Sequence, residues 1–153
     1  MAILPKAVYR QTEKQLRDRW KMLPRARQKL YRAQQQVYSV HGAQADFSGG
    51  SHPGNADRLS AGAIRILQAE EDVQRAEAWM DVFRMMDRTF PFESTSEGLV
   101  AGLLYGNGMT VEEVCRATGS KRTTVIHRRD NYVCHCALFA AAAGLIQIRE
   151  DEQ

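Results

Sequence analysis

Residues 109–130, MTVEEVCRATGSKRTTVIHRRD, hold the side chains of this sequence that are best suited to binding chemistry. The second half of this stretch is rich in Lys, Arg, Thr and His, and its only acid, Asp130, stands at the end. Cationic side chains bind phosphate oxygens, while hydroxyl and imidazole groups can hydrogen-bond to base edges. The pattern therefore favours a helix that enters a groove of DNA. A packed helical hairpin with a solvated basic face is the alternative interpretation.

The spacing around Gly119 is typical of a helix-turn-helix. Such a motif needs a small residue where the second helix crosses the first, and a Gly four residues later permits the sharp turn. A branched apolar residue six positions further on packs the second helix against the core. Cys115, Gly119 and Val125 meet these requirements. Thr110 and Glu113 predict a capping box at the start of the first helix, and Ser120 is the expected cap of the second.

The second helix of this motif is predicted to have one polar and one apolar face. Val125, Tyr132, Val133, Cys136 and Phe139 form the apolar side. The polar side and the N-terminal turn supply the predicted DNA-binding residues. They are Lys121, Arg122, Thr123, Thr124, His127, Arg128, Arg129 and Asn131. The Thr124 and His127 side chains are expected to reach bases, and the Lys and Arg side chains are expected to hold phosphates.

The elements that must position this motif are helical nearly throughout, so we predict an all-α fold. Apolar residues repeat every three or four positions over 23–40 and again over 58–88, which is the spacing of a coiled-coil seam. The Ser-, Gly- and Pro-rich segment 46–55 predicts the loop between these two helices. Residues 1–89 are therefore predicted to form a basic N-terminal helix and a helical hairpin that acts as a dimerisation arm. Residues 94–146 are predicted to form the helix-turn-helix domain, and 145–151 could be a strand or a tail.

Charge is distributed unevenly along a chain of net charge +3. Residues 1–35 carry ten Lys or Arg and two acids, and residues 116–129 carry five basic residues and no acid. Such clustering favours a polyanionic partner. The N-terminal block repeats Arg10, Lys14, Arg17 and Lys21 on one stripe. This stripe is either a second phosphate-binding arm or the solvated face of a hairpin.

Several other classes of protein do not fit the sequence. We find no Gly-rich phosphate loop after a strand and no nucleophile elbow, so we do not expect an enzyme or a cofactor. Cys134, His135 and Cys136 lack the spacing and the second Cys pair of a zinc site, so no metal is expected. Three Cys residues do not make a disulfide framework, and no apolar run is long enough for a signal peptide or a membrane span. These features predict a cytoplasmic protein.

The chain resembles the phage transcriptional regulator family of RinA and ArpU. The resemblance is carried by SGGSHPGNADRLSAGAIRILQAEED, by EGLVAGLLYGNGMTVEEVC and by a helix-turn-helix near the C-terminal end. It implies a domain like region four of a sigma factor, binding of promoter DNA and control of late phage genes. A homodimer on two half-sites is expected, with direct contact to RNA polymerase left open. The alternatives are a protein like a small terminase subunit, which acts in DNA packaging, and a helical factor that binds RNA polymerase.

Overall fold

The computed structural model describes residues 4–44 and 53–149, with side chains over 4–39 and 58–149. Over these residues the chain is helical and contains no strand, which confirms the all-α prediction. Most of the predicted loop 46–55 lies outside the described residues, and its last three residues belong to a helix. None of the described helices is both long and apolar enough to cross a membrane.

The described residues form six α-helices and one π-helical turn. They are α1 (Lys6–Arg17), α2 (Arg19–Gln44), α3 (Pro53–Thr89), α4 (Ser96–Ala101), the π-helical turn (Gly102–Gly106), α5 (Val111–Thr118) and α6 (Arg122–Ala142). Helix α3 begins at Pro53, five residues before the start that the apolar repeat predicts at 58. After α6 the chain turns at Gly144, and no strand forms over 145–149 because Leu145 and Ile146 pack into the core instead.

The chain divides into two compact units, Met1–Trp20 with Ala78–Gln153, and Lys21–Glu77. This division differs from the predicted boundary at 89–94. Helix α1 packs against α6 and the π-helical turn, so it groups with the C-terminal helices rather than with the hairpin. The last part of α3 joins the same unit because Trp79, Phe83 and Met86 are buried there.

Within the unit Lys21–Glu77, α2 and α3 meet in antiparallel order. Lys29 pairs with Asp72 at 3.0 Å, Arg27 lies 3.8 Å from Glu77, and Gly62 faces Val37. A Cβ atom at Gly62 would come 2.9 Å from the Val37 Cγ2, so the missing side chain permits the two helices to approach closely. The predicted seam positions of both helices are buried or half-buried wherever their side chains are described.

Candidate nucleic-acid interface

Helix α5 begins with the predicted capping box. The Glu113 backbone N–H donates to the Thr110 Oγ1, and the Thr110 backbone N–H donates to the Glu113 carboxylate at 3.1 Å. These two bonds satisfy N–H groups that a helix start leaves without an intrahelical partner. Val114, on the inner side of the helix, is fully buried. The cap therefore fixes where α5 begins and how it meets the core.

The turn between α5 and α6 depends on Gly119. Its φ of 67° lies in the left-handed region, which residues with a Cβ atom rarely adopt. The predicted cap Ser120 is wrong, because Lys121 takes the N-cap position of α6 and makes no side-chain capping bond. The first backbone N–H groups of α6 consequently have no side-chain acceptor at the cap, and Lys121 itself stands at the start of the helix.

The inner face of α6 packs as the spacing predicts. Val125 is fully buried and belongs to one cluster with Val100 and Val114. Tyr132, Val133 and Cys136 continue this buried face toward the C-terminal end. Half-buried Leu103, Leu104, Met109, Val111 and Cys115 surround the cluster. The apolar contacts fix the rotation of α6 about its own axis, so they decide which side chains face outward.

Most of the predicted DNA-binding side chains lie on the outward part of α6. Lys121, Arg122, Thr123 and His127 are exposed, and Thr124 and Arg128 are half-buried. The Arg122 guanidinium forms an ion pair with the Glu112 carboxylate of α5. Neither Thr124 nor His127 is packed inside. The structure thus brings six of the eight predicted residues together along the first two turns of α6.

Arg129 and Asn131 are engaged by neighbouring helices instead. Arg129 donates to the adjacent Asp130 at 3.0 and 3.1 Å, and its guanidinium lies 5.8 Å from the centre of the Tyr9 ring. The Asn131 amide donates to the Glu97 carboxylate at 3.5 Å. Both residues therefore stand where α6 meets α1 and α4, since their positions on the helix turn them away from its exposed side.

A polar network between α1 and the C-terminal helices was not predicted from the sequence. The Tyr9 hydroxyl donates to the Asp130 Oδ1 at 2.6 Å, and the Tyr105 hydroxyl donates to the Glu13 Oε1 at 2.8 Å. Burial, followed by the hydrogen bond to a carboxylate, raises the pKa of both tyrosines well above the ordinary value. Both hydroxyls therefore stay protonated and act as donors. Their partners are 121 and 92 residues away, so no local pattern could identify them.

The Cys134-His135-Cys136 run is divided between core and surface. Cys136 is fully buried, while Cys134 is half-buried. His135 is half-buried, and its ring packs edge-on against the Phe90 ring, with 5.0 Å between the two ring centroids. Its Nδ1 lies 2.8 Å from the Asn131 carbonyl oxygen. Among the described residues, no three His, Cys, Asp or Glu side chains are grouped so that they could hold a metal ion.

The N-terminal basic stripe lies partly on α1. Arg10, Lys14 and Arg17 are exposed, and Arg17 is 3.7 Å from the Glu13 carboxylate. The exposure fits both a phosphate-binding arm and a solvated face, so the two interpretations of this stripe stay open.

Comparisons of the chain with models of protein families, with curated proteins and with solved structures gave no match. The resemblance to the RinA and ArpU regulators stays a prediction made from the residues.

Proposed function

We propose that this protein is a sequence-specific DNA-binding regulator of transcription that reads the major groove with α6. One observation carries the proposal. Helix α6 is fixed to the core by buried Val125, and the same first turns expose Lys121, Arg122, Thr123 and His127 on the opposite side. The major groove of B-DNA is about 12 Å wide and admits one α-helix, whose N-terminal residues then contact base edges.

The charge and the position of each side chain indicate which part of the DNA it would contact. Lys121 and Arg122 stand at the helix start, where the dipole and free backbone N–H groups also favour an anion, so we assign them to phosphates. Thr124 and His127 follow one turn apart and are assigned to base edges. Arg128 contacts either a phosphate or a base. Because Arg129 and Asn131 are bonded to protein groups, we assign them to holding α6 in place.

The wider biological role follows the resemblance drawn from the sequence. We propose control of late phage genes by a homodimer, with one α6 in each half-site. The two half-sites of such a dimer would lie about 34 Å or a multiple apart. We assign the antiparallel pair of α2 and α3 to the dimerisation arm of this homodimer.

Selection of bound sequences from random duplexes, followed by fluorescence anisotropy, tests the proposal. The purified chain should enrich a defined motif, and its affinity should fall steeply between about 50 and 200 mM salt. Thr124→Ala or His127→Ala should cost about 1–3 kcal/mol at one base position and relax specificity there. Arg128→Ala should do the same if Arg128 reads a base, and should weaken all sequences alike if it holds a phosphate.

The charge variants give a matched comparison. Lys121→Gln with Arg122→Gln should lower the slope of log affinity against log salt by about 1.8, since each phosphate contact contributes about 0.9. Arg84→Gln with Arg88→Gln removes the same charge from exposed positions of α3 and should leave the slope nearly unchanged. No binding to any duplex at low salt would refute DNA binding. Equal binding of all duplexes would favour a packaging protein over a regulator.

A further inference from the structure

The unit Lys21–Glu77 has a groove between α2 and α3 that is lined by basic side chains of both helices. Arg25, Lys29 and Arg32 come from α2, and Arg58 and Arg65 come from α3. All five side chains are exposed. The described residues that line the groove include no Asp or Glu. The groove therefore carries a concentrated positive charge that is separate from the basic face of α6.

This charge is only slightly neutralised by the protein. Lys29 pairs with Asp72 at 3.0 Å. Over residues 4–39 and 58–149, no acid lies within ion-pair distance of Arg25, Arg32, Arg58 or Arg65. On α2, Arg25, Lys29 and Arg32 are one helical turn apart. Like charges at this spacing slightly destabilise a helix, and a bound anion would relieve that repulsion.

Several of the other lining residues are suited to a phosphate backbone. Gln28, Gln36 and Gln68 add uncharged amide donors, and the small Ala33 and Ala69 leave the floor of the groove open. Arg, Lys and Gln side chains supply many of the phosphate contacts of nucleic-acid-binding proteins. Val37 and Leu59 line the groove near Arg58. The part that is lined by Arg25, Lys29 and Arg32 has no apolar side chain larger than Ala, so it offers an acidic protein helix no pocket for an anchoring side chain.

The length of each basic row also matches the spacing of phosphates along a DNA strand. Arg25 and Arg32 are seven positions apart, and so are Arg58 and Arg65, which places about 10 Å between the ends of each row. A DNA strand presents about three phosphates over that distance. We infer that the groove between α2 and α3 is a second nucleic-acid site, which binds the phosphate backbone without reading sequence.

The inference does not rest on the role of α6, and the test keeps the two apart. Full-length Arg32→Gln/Arg65→Gln protein is compared with the unchanged chain by anisotropy on a fluorescein-labelled mixed-sequence duplex and on the corresponding single strand. Both replaced side chains are exposed and Gln is a good helix former, so circular dichroism should show unchanged helix content. An Arg84→Gln/Arg88→Gln protein, with the same change in net charge at positions that do not line the groove, is the control.

We expect the groove variant to weaken binding about 3- to 10-fold at low salt, equally for all sequences. The salt slope should fall by about 1.8 on the duplex and by about 1.4 on the single strand. A larger effect on the duplex identifies double-stranded DNA as the ligand, and a larger effect on the single strand identifies single-stranded nucleic acid. An effect no greater than that of the control overturns the inference. Competition by polyglutamate as strong as that by DNA of equal charge also overturns it, since an acidic protein would then be the ligand.

The two variants test the groove inference even if α6 does not bind DNA. In that case Lys121→Gln/Arg122→Gln would leave affinity unchanged, while the groove variant would still lower it. If only the groove inference fails, the opposite pattern results. Additive losses in the combined variant are expected when both sites contact the nucleic acid.

Discussion

The Tyr9 hydroxyl donates a hydrogen bond of 2.6 Å to the Asp130 Oδ1, which joins the first helix of the chain to the helix that exposes the basic face. Arg129 lies over the Tyr9 ring and donates to the same Asp130 oxygen. Asp130 thus accepts bonds from both helices. Through this contact α1 helps to set the position of α6.

Removal of the Tyr9 hydroxyl should weaken that junction. We expect Tyr9→Phe to lower the free energy of unfolding by about 1 kcal/mol, since the bond is charge-assisted but the Asp130 side chain is partly exposed to water. Urea unfolding followed by circular dichroism measures the change. Tyr31→Phe is the control, because Tyr31 is exposed and its hydroxyl bonds to none of the described residues. Equal midpoints for the two variants would contradict a stabilising role for the bond.

This junction marks the limit of what the sequence predicted. Periodicity correctly identified the helices and the buried face of α6, because both depend on residues close in sequence. The buried side of α1 was harder to recognise, since Thr12 stands between Val8 and Leu16. Thr12 is fully buried although it is polar, because its hydroxyl donates to the Val8 carbonyl oxygen at 2.8 Å. Because Thr12 is polar, the apolar repeat of α1 is interrupted on the side that packs on the C-terminal helices.

In the candidate site, too, the features that depend on nearby residues were predictable and those that depend on distant residues were not. Exposure of Lys121 and His127 follows from burial of Val125, a relation that the helical repeat determines. The hydrogen bond from Asn131 to Glu97 and the contact of Arg129 with the Tyr9 ring depend on which helices lie beside α6. No spacing within one helix contains that information. The basic groove likewise depends on the contact between α2 and α3, which the sequence pattern of neither helix specifies.

The turn at Gly119 provides a second prediction. A Cβ atom there would meet no atom within 4 Å, so Gly119→Ala tests the left-handed φ of 67° without a steric clash. We expect a loss of about 1 kcal/mol in the free energy of unfolding. We also expect weaker DNA binding, because relaxation of the turn would rotate α6 relative to α5.

Gly106→Ala is the matched control for this substitution. Its Cβ atom also meets nothing within 4 Å, and its φ is not in the left-handed region. It should be neutral or stabilising by up to about 1 kcal/mol. If both variants have the same stability, backbone strain at Gly119 is not what the turn depends on.

The ion pair between Arg122 and Glu112 leads to a third prediction. The acid of α5 partly neutralises a side chain that we assign to phosphate. Glu112→Gln should therefore increase affinity for duplex DNA about 2- to 5-fold at low salt and steepen the salt dependence, with no change in the preferred sequence. Anisotropy titrations at several salt concentrations measure both quantities.

Glu93→Gln provides the control for net charge, since Glu93 is exposed and is in no ion pair with the described residues. A gain in affinity equal to that of Glu112→Gln would mean that the overall charge, rather than release of Arg122, accounts for the change. A loss of affinity in Glu112→Gln would mean that the ion pair holds Arg122 in its binding position.

The cysteines give a fourth prediction, on accessibility. Cys136 is fully buried, and burial raises the pKa of its thiol to about 12. Burial also raises the pKa of half-buried Cys134, and Cys115 is half-buried too. We expect Ellman's reagent at about pH 8 to modify Cys115 and Cys134 in the folded chain, and Cys136 only after unfolding in guanidinium, because the reactive species is the exposed thiolate.

The same shift fixes the direction of a pH effect. Because the folded-state pKa of Cys136 lies above the unfolded value of about 8.5, its stabilising contribution is complete below that pH and is lost as pH rises toward about 12. Between about pH 8 and 10, below the range where the buried tyrosines contribute, the unfolding midpoint in urea should decline. Cys136→Ala should start from a lower midpoint, since it leaves a small cavity, but decline less. An equally steep decline in both proteins would show that Cys136 is not the group that titrates.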